Sequence, residues 1–408
     1  MSSASSIDSD APIDCDIVYF PLGAAAFGGA ERSILELASA QQSAGKRVLV
    51  CYEPALESTD FLPQAQAMKL PLLKLDWWPE QSALQVARAA WRLFSRVRAP
   101  LIHFNISWRP GMWLIPLLAR LCTRARLVGT MRAMPEPYER IARGRMLGFI
   151  PNPRLWILPD MLVGRVWARA LHATVSVNRD DYPPRLKSEF AFPANRLSVI
   201  YNGVRIPAKV PSDAQRLAAR RALGCDDADF IVAYVGRVSA EKGVRYAIEA
   251  LVHCPPHVRL LVAGEGDEED ELKARVKLLG LCHRVRFLGY IAQPFDVFTA
   301  AHVAVVPSLW NEAFGRVVVE AMACRAAVVA TAVGGMRELF EHGREGLFVP
   351  KADATAIAAA LNLLEADPAR LDAMQHAGRQ LAEQRYATSR VAAENTALYA
   401  RLLETGHA

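Results

Sequence analysis

Arg237, Lys242, Glu312 and Glu320 are the side chains of this sequence whose types and spacing best suit an anionic, hydroxyl-rich ligand. A carboxylate accepts two hydrogen bonds and so suits vicinal hydroxyls. Preorganised cations stabilise negative charge that develops on a leaving group. Taken alone, Glu312 and Glu320 also fit a solvated helix face, and Gly-Arg-x-x-x-x-Lys fits a solvated loop. Their surroundings are more specific. The apolar run 303–306 reads as a short buried strand that Pro307 and Ser308 end. Residues 310–313 make a polar loop, and Phe314 and Gly315 open an apolar, alanine-rich helix that stops near Ala323. A second apolar run at 326–330 and a Gly334-Gly335 turn follow, with another helix expected from Met336. The polar groups thus fall at the carboxyl ends of strands, where open parallel sheets bind ligands.

Glu312-x7-Glu320, followed by Ala-Met-Ala and Val333-Gly-Gly335, resembles the donor site of retaining nucleotide-sugar glycosyltransferases of the GT-B fold, family 4. The resemblance implies an α/β protein of two Rossmann-like domains that face each other across a cleft. It implies that Arg237 and Lys242 clamp the donor diphosphate. Glu320 then holds the ribose and Glu312 a hydroxyl of the transferred sugar. Backbone N–H groups near Phe314, Gly315 and Arg316, at a helix start, suit the sugar and phosphates. Gly264 and Leu288, with Gly289, border the base. A UDP-sugar is favoured as donor over a GDP-sugar, as substrate and not as cofactor. No metal is required by charge count, because Arg237 and Lys242 neutralise the diphosphate. Asp14-Cys-Asp16 spells the Asp-x-Asp signature of the other glycosyltransferase fold, but it precedes the first strand in a leader read as mobile, and is taken as coincidence.

In the N-terminal half, 16–20 reads as a strand, 30–44 as a helix stopped by Gly45, and 47–51 as a second strand. Gly28 and Gly29 lie between strand and helix, where they let backbone approach a ligand and offer free N–H groups, or simply make a turn. They do not form the dinucleotide fingerprint, and they resemble the family's Gly-Gly-x-Glu loop. Strands at 70–75, 101–104, 126–130, 171–177 and 197–200, with helices at 80–97 and from 110, imply a parallel sheet covered on both faces. Residues 131–159 carry five prolines and cannot form one continuous helix. Many family members have a histidine two residues after the threonine that closes the strand before this stretch; here Arg132 stands there. Arginine cannot accept a proton but binds phosphate in a bidentate way, which suits a phosphate-bearing acceptor. His103 and Asn105 are further acceptor candidates, a buried imidazole satisfied by backbone being the alternative for His103. No residue stands out as a nucleophile. The family's front-side route, in which the leaving phosphate helps to deprotonate the acceptor, needs no protein base.

Asn202-Gly203-Val204 resembles the family's interdomain junction. The expected domains are 1–202, acceptor-binding, with the last helix of about 389–408 packing back on it, and 203–388, donor-binding. Strands at 230–235, 258–263 and 285–288 precede the one at 303–306, and 353–403 reads as almost wholly helical.

The composition, 52% hydrophobic and 22% charged, is that of a globular chain with large cores. No transmembrane helix is expected. Residues 1–16 resemble a disordered leader rather than a secretory signal. Seven cysteines without a Cys-x-x-Cys pair argue against structural zinc and for a reducing, cytoplasmic setting. Charge is uneven. Residues 88–169 hold 15 arginines, no lysine and three acids, and seven of the eight tryptophans lie in the first half. An anionic membrane surface with a lipid-linked acceptor is the favoured explanation. Plain packing is the second, and nucleic-acid binding is set aside because of the donor-site motifs. The function expected is hexosyl transfer to a glycan or lipid-linked glycan in cell-envelope polysaccharide or glycolipid assembly. The alternatives are a nucleotide-sugar epimerase and a catalytically silent binding protein.

Overall fold

The computed structural model describes residues 12–22, 27–75, 83–108, 112–134, 158–292 and 294–405. The chain forms two compact units, Met1–Gly203 with Thr388–Ala408, and Val204–Ala387.

The first unit runs β1 (Ile17–Phe20), α1 (Gly29–Ser43), β2 (Val48–Tyr52), α2 (Phe61–Ala67), β3 (Leu72–Lys74), α3 (Ala83–Arg96), β4 (Leu101–Asn105), α4 (Leu114–Cys122), β5 (Arg126–Met131), α5 (Leu158–Ala170), β6 (Ala173–Ser176), α6 (Tyr182–Phe190) and β7 (Leu197–Val199). Its parallel strands are ordered β3-β2-β1-β4-β5-β6-β7, with Ile17 registered between Val48 and Leu101. Strands buried on both faces need continuous apolar runs, and Ile-Val-Tyr-Phe of β1 is buried at every position. Strand order reverses between β1 and β4. The right-handed crossovers therefore place α1 and α2 on one face and α3 to α6 on the other.

Residues 12–16 depart from the expectation of a mobile leader, whose residues 1–11 lie outside the described residues. They are part of the fold: Ile13 is 4% exposed and bridges to Val97. Asp16 accepts from Arg47 at 2.9 Å, and Asp14 lies 3.4 Å from the same guanidinium. The Asp-x-Asp pair thus pins the start of β1 to the start of β2. The proline-rich excursion falls largely at 135–157, outside the described residues.

The second unit runs α7 (Asp213–Ala222), β8 (Phe230–Val235), α8 (Val244–Ala250), β9 (Val258–Ala263), α9 (Glu269–Leu278), β10 (Val285–Gly289), α10 (Phe295–Ala300), β11 (Val303–Val306), α11 (Arg316–Ala323), β12 (Ala327–Thr331), β13 (Gly346–Val349), α12 (Ala354–Ala366) and α13 (Pro368–Leu381). The order is β10-β9-β8-β11-β12-β13, reversing between β8 and β11. Asp353 and Asp367 cap α12 and α13 by accepting the N–H groups of Ala356 and Arg370, at 2.8 and 3.0 Å. The helix expected from Met336 is only a 3-10 turn, Gly334–Glu338, and β13 is a strand the apolar pattern did not announce.

The last helix, α14 (Thr388–Glu404), belongs to the first unit and packs on α1. Gln41 Nε2 donates to the Ala392 carbonyl and to Thr396 Oγ1, both at 2.9 Å.

Candidate active site

The point of strand reversal in the second sheet decides what meets what. The loops leaving β8 and β11 emerge side by side, one carrying Arg237 and Lys242 and the other Ser308 and Glu312. Lys242 ends a 3-10 turn, and Gly243 continues from it at φ +67. A Cβ on Gly243 would stand 2.2 Å from the Pro307 carbonyl oxygen, so only glycine lets this turn tuck against the end of β11. Lys242 Nζ then reaches Glu312 Oε1 at 2.5 Å, with 24% and 19% of the two side chains exposed. Ser308 Oγ, almost wholly buried, donates to the same Oε1 at 2.9 Å. Arg237 is more open, pairing with Glu241 at 3.0 Å, and its carbonyl accepts from Tyr234 Oη at 2.6 Å. Burial drives the Tyr234 phenol far above its ordinary range, aided by the Glu312 carboxylate and opposed by Arg237. It therefore serves as a neutral donor under the loop.

The Glu312 loop is held from below. Gly335 N–H donates to the Glu312 carbonyl at 2.7 Å. Gly334, at φ +47, passes so near that a Cβ would lie 2.3 Å from that oxygen. Phe314 is 2% exposed with its ring edge-on to Tyr386, centroids 5.7 Å apart. Burial of such a ring contributes about 1.5–3 kcal/mol. Its side chain is an anchor, and any ligand contact at this position falls to the backbone. Gly315 is the N-cap of α11, whose amino end favours anions. Arg316 and Glu320 pair one turn apart at 3.0 Å, both nearly buried, so a diol would meet the Glu320 carboxylate beside a guanidinium. Gly264 N–H donates to the Gly289 carbonyl at 2.7 Å, which brings the ends of β9 and β10 together. Leu288, partly buried, packs its side chain against the buried cluster of Cys225, Ile231 and Leu261.

In the first unit Gly28 caps α1, but its N–H is not free. It donates to Glu31 Oε2 at 2.9 Å, the return half of a capping box whose other half a glycine, lacking a side chain, cannot make. Gly29 follows as the first residue of the helix, its carbonyl accepting from Ser33 Oγ at 2.7 Å. Burial pushes the Glu31 carboxyl above its usual range, with Arg132 opposing. Arg132 Nε donates to Asn105 Oδ1 at 2.9 Å, and its Nη1 to Asn202 Oδ1. A small recess lined by Thr130, Arg132, Tyr201, Asn202 and Asn395 surrounds this guanidinium. His103 is corrected as an acceptor contact. It is fully buried, with Nδ1 bonded to Tyr399 Oη at 2.5 Å and Nε2 to Thr130 Oγ1 at 2.6 Å. Burial lowers its pKa to about 3, Arg132 adding to the effect. The neutral ring holds Thr130 at the edge of the recess instead of touching a ligand.

Ser308, Tyr234, Asn202 and Tyr399 were not singled out as site residues from sequence. Asn202 stood in the junction motif, the only signal among the four. Among the described residues no group of three or more His, Cys, Asp or Glu is placed to hold a metal ion, and no helix is long and apolar enough to cross a membrane.

Comparison with known proteins covers both halves. Residues 27–206 match the family Glycosyltransferase Family 4, and residues 215–381 match Glycosyl transferases group 1. The D-inositol 3-phosphate glycosyltransferase of Thermobispora bispora is 32% identical over 325 residues, spanning 76% of this chain and 72% of that protein. The uncharacterized glycosyltransferase MJ1607 of Methanocaldococcus jannaschii is 30% identical over 224 residues, and the match spans 57% of its length. Among solved structures, Anabaena Alr3699/HepE in complex with UDP superimposes with a TM-score of 0.77 at 23% identity, over 95% of this chain and 100% of that one. A second is the sucrose-phosphate synthase of Thermosynechococcus elongatus, with a TM-score of 0.74 at 22% identity over 96% of this chain and 100% of that one. The chain belongs to the group 1 glycosyl transferases, glycosyltransferases of the GT-B fold.

Proposed function

We propose that this glycosyltransferase moves a hexose from a nucleoside-diphosphate sugar to a glycan or lipid-linked glycan, retaining anomeric configuration and needing no metal ion. The observation that carries the reading is the Lys242–Glu312 pair, buttressed by Ser308, at the reversal point of the second sheet. A diphosphate leaving there meets Lys242 and Arg237, which stabilise its developing charge. Glu312 offers a second carboxylate oxygen to a sugar hydroxyl, and Glu320 lies one helix further in, for the ribose. A UDP-sugar is favoured over a GDP-sugar, in keeping with the UDP and UDP-glucose complexes of the HepE structures. With no carboxylate assigned as nucleophile, retention follows the front-side route in which the departing phosphate takes the acceptor proton.

On the acceptor side, Arg132 is oriented by two amide oxygens and suits a phosphate group. The names of two kinds of relative, D-inositol 3-phosphate glycosyltransferase and alpha-maltose-1-phosphate synthase, also carry a phosphorylated partner. A lipid diphosphate acceptor meets the same requirement. It places the enzyme at the inner face of a membrane, in cell-envelope polysaccharide or glycolipid assembly.

The test is a donor panel with nucleoside diphosphate release as readout, run with and without a chelator, followed by the anomeric configuration of the product. Release from a UDP-sugar, unaffected by chelator and lost in Lys242→Ala, supports the reading. Inverted product rejects the retaining assignment. A changed nucleotide sugar formed without acceptor identifies an epimerase, and absence of turnover with every donor identifies a silent binding protein.

A further inference from the structure

Four large apolar side chains stand exposed in the described part of the first unit: Leu84, Trp91, Leu121 and Leu162, each more than half exposed. All four lie on α3, α4 and α5. These helices pack in that order, α3 on α4 and α4 on α5, on the sheet face opposite α1. Scattered exposed leucines need no explanation, but the whole set gathered on one three-helix layer does. On α3, Leu84, Arg88 and Trp91 follow helical spacing along one outward stripe, with Arg92 beside it. On α4, Leu114, Leu117, Leu118 and Leu121 line one side, and exposed Arg120 and Arg124 flank its end. On α5, exposed Leu162, Arg165 and Arg169 do the same.

Charge decides what covers this layer. Between Glu80 and Glu136 the sequence contains nine arginines and no acid. No ion pair among the described residues involves Arg88, Arg92, Arg120, Arg124, Arg165 or Arg169, whereas Arg245, Arg275, Arg325 and Arg379 of the second unit are all paired. A protein partner or second copy would bring its own acids and a shaped apolar core. A surface of guanidinia around shallowly raised leucines and one indole matches an anionic lipid interface, where the charges meet headgroups and the apolar tips enter the acyl boundary. The tryptophan count needs revision in the same light. Trp167 is fully buried against Phe104 and Trp108 packs on Phe190, so among the described tryptophans only Trp91 is largely exposed.

We infer that the outer face of α3, α4 and α5 is a docking surface for anionic phospholipid, with Leu84, Trp91, Leu121 and Leu162 as the inserting side chains. This deepens the reading of a membrane-borne acceptor and rests on it for its biological sense.

The test is flotation of the full chain with phosphatidylcholine vesicles, with and without phosphatidylglycerol, at low and high salt. Binding should require phosphatidylglycerol and reverse with salt. Both Leu84→Ser/Trp91→Ser/Leu121→Ser and Arg88→Gln/Arg92→Gln/Arg124→Gln, checked for native melting, should bind at least about tenfold more weakly. Nucleoside diphosphate release in vesicle-free solution should be unchanged in both. Wild-type binding by either folded variant overturns the surface. So does competition by an oligonucleotide with no effect of the apolar changes, or a dimer that the variants dissociate. Vesicle binding without donor turnover would instead refute the transferase reading and leave the surface standing.

Discussion

Replacing Lys242 with methionine separates the electrostatic role of the pair from its structural one. Lys242 Nζ is 2.5 Å from Glu312 Oε1, and both side chains are about three-quarters or more withdrawn from solvent. Methionine keeps the length of the stem and deletes the charge. Glu312 is left with the Ser308 hydroxyl as donor at 2.9 Å. Leaving a largely buried, charged acceptor short of its partner costs about 1–3 kcal/mol. For a unit the size of Val204–Ala387, each kcal/mol lowers Tm by about 2–4 °C. The expected fall is thus about 2–12 °C, read by a thermal melt. Turnover should fall further than stability accounts for, by about 10²–10³ in kcat, as when one preorganised donor to a transition-state charge is removed. Adding Glu312→Gln should restore much of the lost Tm, because the stranded carboxylate is gone, and should restore no activity. Donor turnover in Lys242→Met within about tenfold of the parent would refute the assignment of Lys242 to the diphosphate. A double variant that melts lower than Lys242→Met would refute the account of the pair.

Ser308→Ala removes one hydrogen bond to the Glu312 carboxylate, about 1.5–3 kcal/mol, and should slow nucleotide release by at least about tenfold and lower the melt. Gly334→Ala places a Cβ 2.3 Å from the Glu312 carbonyl at φ +47 and should cost about 1–3 kcal/mol with loss of turnover. The same change at Gly343, also at positive φ but with nothing within 4 Å, should cost less and spare activity, which paired melts and assays will check. His103, neutral in the fold with a pKa near 3, binds its proton in the unfolded chain near the ordinary 6.5. Between those values the unfolded state holds more protons, so stability is lost as pH falls, by up to about 1.4 kcal/mol per pH unit. Denaturant melts across that range should show a shallower pH slope in His103→Gln.

The local part of the candidate site was legible because it is written in adjacent residues. Apolar runs of four to six residues alternate with helical spacing, and Pro307, Gly315 and Gly334 punctuate them. The loops carrying Arg237, Lys242 and Glu312 were therefore placed at strand ends before any contact was known. Less was legible where a pattern is weak or shared. The Gly334 segment has helical composition, yet close passage beneath Glu312 holds it to a 3-10 turn. The short β13 lacked a periodic signal. Leu288 and Phe314 were placed correctly along the chain, but which way a side chain faces is decided by packing.

The strand–helix alternation apart from β13 and the Gly334 turn, the identity of the second-unit loops, the departure at Arg132 and the acid-free arginine stretch all follow from the amino-acid sequence alone, since hydrophobic period and residue type are local properties. Only the tertiary structure decided that Ser308 and Lys242 share one oxygen of Glu312, because the reversal between β8 and β11 brings together loops 70 residues apart. It also decided that His103 is held by Tyr399, 296 residues away, and that Asn202 orients Arg132. Partners at such separations are chosen by the order in which strands enter a sheet and the face onto which each crossover helix folds. No spacing within either segment encodes them.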